Sequence, residues 1–121
     1  MALRLTHENL PAAYEYLRAC DPFAGWKLPH ADEVVFVVSR TYPDWGYYTH
    51  LKHDKHSHEI GISQVRVGSS LCLLEIMAHE MIHLAQELDR SMTGNTQHNA
   101  DFRRRAKLVC AHHVFDPMAF I

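Results

Sequence analysis

Ser69-Ser70-Leu71-Cys72-Leu73-Leu74-Glu75-Ile76-Met77-Ala78-His79-Glu80-Met81-Ile82-His83-Leu84-Ala85-Gln86-Glu87-Leu88-Asp89-Arg90 is the stretch that decides how this chain is read. Gly68-Ser69-Ser70 offers a hydroxyl N-cap, and residues 71–90 then run without Gly or Pro, which predicts one long helix. Leu73, Met77, Met81, Leu84 and Leu88 recur at helical spacing and define its core face. His79 and His83 stand four residues apart, and side chains at that spacing leave one face a turn apart, so two imidazoles can share one ion. Glu80 stands beside them, where a carboxylate can take a proton from water and return it to a leaving amine. With these residue frequencies, His-Glu-x-x-His arises by chance roughly 0.06 times in such a chain. The competing reading is a polar face on a surface helix, with both histidines and Glu80 solvated.

Working outward, residues 9–20 carry Leu10, Ala13, Tyr14 and Leu17 at helical spacing, with Pro11 tolerable in a first turn and Asp21-Pro22 as a stop. Residues 33–39 are rich in Val and bounded by Pro29 and Pro43, which predicts a strand; residues 46–51 and 59–63 are two more. Short connections predict that the three form an antiparallel meander. Downstream, Gly94-Asn95 signals a loop, and residues 99–112 hold Phe102, Ala106 and Val109 spaced for a second core face. The order helix, small sheet, helix, helix predicts an α+β fold, read as one domain over residues 1–121.

Composition narrows the function classes. A chain of 121 residues, 47% hydrophobic and 21% charged, can bury a core and is not a disordered segment. Its formal charge of -2 excludes a nucleic-acid polycation. No apolar run approaches the ~18 residues that span a bilayer, and the opening Met1-Ala2-Leu3-Arg4 meets charge before a signal-peptide core could form, so the expected location is the cytoplasm, without membrane contact. Cys20, Cys72 and Cys110 form no Cys-x-x-Cys pair and read as small buried residues. The abnormal count is eleven histidines, which directs attention to metal chemistry.

Catalytic zinc sites hold three protein ligands and keep a position for water, so His79 and His83 need a third. His98 is the leading candidate: it follows a polar loop that lets the chain reverse, and Phe102 lies one turn on along the same face. Glu87, His112, His113 and a histidine of the sheet are the competitors, with Glu87 disfavoured because it sits a full turn beyond His83. One zinc per chain suits a three-histidine site with an open position, although affinity order alone admits other divalent ions.

Leu74-Glu-Ile-Met-Ala-His79-Glu80-Met-Ile-His83, a gap of fourteen residues, then His98-Asn-Ala-Asp-Phe102 resembles the SprT-like zinc metallopeptidase domain. In that family His-Glu-x-x-His is followed by a His-x-x-x-Phe element that supplies the third ligand. The resemblance extends from about residue 9 to residue 112, with the specific motifs between His79 and Phe102. It implies a minimal zincin: a three-stranded antiparallel sheet packed on the active-site helix, with flanking helices. It also implies a zinc-dependent endopeptidase in which His79, His83 and His98 hold the ion, Glu80 is the general base and the substrate is a protein or peptide.

Weaker signals remain. His50, His53, His56 and His58 crowd the connection between the second and third strands, as a second metal site or, more ordinarily, a solvated hairpin tip. Arg103, Arg104, Arg105 and Lys107 form a basic patch that could touch phosphate, against the plainer reading of a solvated helix face. Tyr42, Trp45, Tyr47 and Tyr48 could line a cleft, although aromatic packing on a sheet face is the ordinary reading. The alternatives to a peptidase are a zinc-holding but non-hydrolytic adaptor or DNA-associated module, a different zincin such as a repressor-cleaving peptidase with a carboxylate third ligand, and a metal-free helical scaffold.

Overall fold

The computed structural model describes residues 5–6, 8–41, 43–51, 58–91 and 98–116. Helix α1 (Asn9–Arg18) is followed by two 3-10 turns (Phe23–Gly25 and Ala31–Glu33), strands β1 (Val34–Ser39), β2 (Gly46–His50) and β3 (His58–Ser63), and helices α2 (Ser70–Asp89) and α3 (Ala100–His113). Among the described residues this is the small α+β, minimal zincin-like architecture: three helices and a three-stranded sheet.

The helices begin where the chain supplies caps. Ser69 is extended at the start of α2, and its hydroxyl accepts from the Cys72 amide at 3.1 Å. Asn99 does the same for α3, its Oδ1 accepting from the Phe102 amide at 3.0 Å. Each cap satisfies one of the orphan donors of a first turn, a stabilisation of about 1 kcal/mol. The expected core faces hold for Leu10, Ala13, Tyr14 and Leu17 of α1, for Leu73, Met77, Met81 and Leu84 of α2, and for Phe102, Ala106 and Val109 of α3. Leu88 departs from its expected place at 43% exposure, because the last turn of α2 emerges into solvent. Of the three free cysteines only Cys110 is buried; Cys20 and Cys72 are half-buried.

The sheet corrects the expected meander. Its order is β1-β3-β2, with β1 parallel to β3 and β2 antiparallel to it. Short connections favour sequential pairing, but β3 is the strand with five of its six residues buried, and the central position is the one paired along both edges. The parallel pair needs a long crossover, which the chain provides by running out and back through β2 before entering β3. Tyr14 secures α1 to this layer: its ring packs edge-on against Phe36 with centroids 5.4 Å apart, and its hydroxyl donates to the Pro29 carbonyl at 2.6 Å. Helix α2 lies across β2 and β3 and touches both α1 and α3, which makes it the central element. Among the described residues no helix is long and apolar enough to cross a membrane.

Arg105 also departs from the solvated patch in which the sequence put it. It is 5% exposed, its Nε donates to Asp101 Oδ2 at 2.9 Å, it pairs with Asp89 at the end of α2, and its guanidinium lies 4.8 Å over the Trp26 ring. A planar cation with fixed donors suits this stacked, doubly paired position, and it fastens α3 to α2. Arg103, Arg104 and Lys107 remain on the exposed face.

Candidate metal centre

Helical spacing puts His79 and His83 on one face of α2, and the start of α3 brings His98 to the same point. One ligand atom from each of the three lies within 4.8 Å of the others, and this is the group of metal-ligating side chains found among the described residues. The ring centroids of the three imidazoles are separated by 5.0–5.1 Å. Phe102 forms the floor beneath them: its ring stacks on His98 at 4.3 Å and on His83 at 4.8 Å, and meets His79 edge-on at 5.0 Å. His98 stands just before the Asn99 cap and Phe102 in the first turn of α3, so a single helix start delivers both the third imidazole and the surface it rests on.

The electrostatics suit a cation. Burial, followed by the neighbouring His83 and His98, holds His79 down to about 3. Burial outweighs the opposing hydrogen bond to Gln86 and holds His83 down to about 4. His98 is also lowered by burial. All three are therefore neutral near pH ~7, the form in which a ring nitrogen keeps the lone pair that ligation requires. Three neutral imidazoles converging on an apolar floor fit a zinc ion by donor type and number.

Glu80 is 5% exposed and is pushed up to about 8 by burial. His83 is 4% exposed, so the reading of a solvated polar face fails for both. The carboxylate lies close to the start of β2, where the strand opens with a glycine. A Cβ on Gly46 would stand 3.4 Å from Glu80 Oε2, 3.0 Å from Ile76 Cγ2 and 2.8 Å from the Gly61 carbonyl oxygen. Gly46 is thus a residue of the site that sequence reading missed; its only signal was a glycine opening a strand.

Two more were missed. His83 Nδ1 lies 3.0 Å from Gln86 Oε1, and Gln86 Nε2 donates to Asn99 Oδ1 at 3.0 Å. The spacing of three residues from His83 to Gln86 on a helix and the position of Asn99 next to His98 were the available signals.

The other candidates lie elsewhere. Glu87 meets His50 across 3.3 Å, and His58 Nδ1 is 2.7 Å from the Tyr48 hydroxyl. The His50 and His58 rings are 5.8 Å apart, while His53 and His56 lie outside the described residues. His113 stacks on Phe115 at 5.3 Å, with His112 beside it at the far end of α3. Tyr47 donates to Glu59 Oε2 at 2.5 Å, and its ring covers Gly61, its cross-strand partner. Trp45 is exposed beneath the Arg66 guanidinium, and Tyr42 lies outside the described residues.

A helix bearing two histidines and a buried glutamate, laid under a small sheet and met by a third histidine at the entry to the next helix, defines a zincin-like domain. The SprT-like family profile matches residues 15–117, and the chain belongs to that family. No curated protein matches the chain. The family is associated with zinc and with metallopeptidase-like domains.

Proposed function

We propose that this chain is a zinc-dependent metalloendopeptidase, with His79, His83 and His98 holding one zinc ion and Glu80 as general base. The observation that carries the reading is the convergence of three neutral imidazoles beside a buried carboxylate. Zinc, when bound, supplies a Lewis acid that polarises a carbonyl and makes water a better nucleophile near neutral pH. Glu80 accepts the proton given up by the attacking water at a carboxylate oxygen and delivers it to the amine that leaves. Burial moves its affinity for a proton towards neutrality, where a group that must both take and give a proton works best. Strand β2 is an edge of the sheet, and an extended peptide that pairs along it would run past Gly46, beside Glu80.

Hydrolysis of an unstructured protein substrate, measured together with metal content, tests the reading. Glu80→Gln should keep zinc and lose roughly 10²- to 10⁴-fold in rate, while His98→Ala should lose the zinc. A Glu80→Gln protein that cleaves at the parent rate removes Glu80 from the chemistry, and full zinc in His98→Ala removes the third ligand. The exposed Arg103, Arg104 and Lys107 favour a second reading, a DNA-associated module that holds zinc without hydrolysis. That reading requires nucleic-acid binding that weakens steeply with salt.

A further inference from the structure

The hydrogen bonds around Gln86 can be assigned from their ends. The Phe102 backbone N–H can only donate, and it points to Asn99 Oδ1 at 3.0 Å. The Ser91 carbonyl can only accept, and it receives Asn99 Nδ2 at 2.9 Å. These two backbone groups fix which end of the Asn99 amide is oxygen. Gln86 must then present its NH₂ to Asn99 Oδ1, at 3.0 Å, which leaves its Oε1 facing His83 Nδ1, also at 3.0 Å. An amide oxygen only accepts, so the His83 proton sits on Nδ1 and the lone pair on Nε2. Gln86 is fully buried, so no solvent competes for either end of the amide.

From this chain of bonds we propose that Gln86 is a positioning residue: it holds His83 in the Nδ1–H tautomer, with the Nε2 lone pair presented to the metal, and ties that ligand through Asn99 to the cap that sets His98. The proposal rests on the metal-site reading for its purpose, but not for its geometry. A ligating histidine whose other nitrogen is committed to a partner is oriented before the ion arrives, and the entropy of ordering the ring is lost on folding rather than on binding. Asn99 adds a second coupling. The same Oδ1 caps α3 and receives Gln86, and α3 begins two residues after His98, so a ring on α2 and a ring before α3 are registered against each other by one oxygen.

The decisive experiment is long-range ¹H–¹⁵N correlation spectroscopy of the histidine rings in the metal-free protein, paired with zinc affinity measured against a chromophoric chelator. Wild type should show His83, assigned by its loss in His83→Phe, with the proton on Nδ1. Gln86→Met, similar in length and unable to accept, should lose that signature and bind zinc roughly ten- to a hundredfold more weakly. Gln86→Glu keeps an acceptor for His83 and should restore the signature. A wild-type His83 protonated on Nε2 overturns the proposal, as does wild-type zinc affinity in a folded Gln86→Met. If Gln86→Met does not fold, the wild-type spectrum still decides. Wild type that keeps the Nδ1–H signature but takes up no zinc refutes the metal reading alone.

Discussion

Glu80 gives the metal-free protein a stability deficit that depends on pH, and Glu80→Gln should remove it. The carboxyl is 5% exposed, and burial raises it from 4.5 to about 8. The folded chain therefore holds this proton more tightly than the unfolded chain does. The stability associated with the protonated group is whole below about pH 4.5, falls as pH rises, and is fully lost above about pH 8. From those two values the deficit is roughly 1 kcal/mol at about pH 5 and roughly 3 kcal/mol at about pH 7. Glutamine does not titrate, so whatever its amide costs in that site is the same at both pH values. His79 and His83 titrate in both proteins and cancel in the comparison. Urea unfolding of the chelated wild type and variant should show the variant gaining about 2 kcal/mol on wild type between about pH 5 and pH 7. A difference that stays constant across that interval would falsify the burial argument, whatever its sign.

Three further outcomes follow from the packing. In the metal-free protein His79 and His83 are held down to about 3 and about 4, so the unfolded chain takes up protons first as pH falls below about 6.5. Their contribution is present above that value and is lost as pH drops through the folded values; chelated Glu80→Gln, which lacks the opposing carboxyl, should therefore lose stability between about pH 6.5 and about pH 4, and an unchanged urea midpoint over that interval would contradict this. Gly46→Ala places a Cβ 2.8 Å from the Gly61 carbonyl oxygen and 3.0 Å from Ile76, so β2 must move away from its neighbours. A loss of about 1–3 kcal/mol in the urea midpoint is expected, and an unchanged midpoint would show that the strand can shift without strain. Arg105→Met leaves Asp89 and Asp101 without their shared cation and should cost about 2 kcal/mol, less than a wholly buried pair because Asp89 is half exposed. Arg105→Lys should not restore the stability, since an ammonium cannot serve both carboxylates and the Trp26 face; full rescue would reduce the interaction to charge alone.

Much of this could be read before any coordinates. Caps, helix spans and the i, i+4 pair His79/His83 are local properties, and local properties are written in neighbouring residues. His98 was legible because its distance from Phe102 is itself a helical interval. The sheet order was not, since pairing a strand with its sequential neighbour or passing over it depends on which strand the core buries, and that emerges only from the whole packing. Arg105 looked like its neighbours Arg103 and Arg104; only the end of α2 and the Trp26 ring distinguish it. Gln86 offered only its spacing of three residues from His83, because a buried amide between two helices and an exposed amide on one are the same letter in the same period. Leu88 failed for the complementary reason: the periodicity of a helix continues past the edge of what it packs against.

The junction between α2 and α3 bears on how the distance from His83 to His98 can vary along related chains. At its base the Ser91 hydroxyl donates to Asp101, the Asn99 amide donates to the Ser91 carbonyl, the Ser91 amide donates to the Gln86 carbonyl, and Arg105 spans to Asp89. Both ends of the connection are fastened before it leaves the helices. Residues added between 91 and 98 would lengthen a closed loop, at about 0.6 kcal/mol for each doubling, without moving the imidazole at its foot. The third histidine is registered by the stem, and the number of residues in the gap is free to drift.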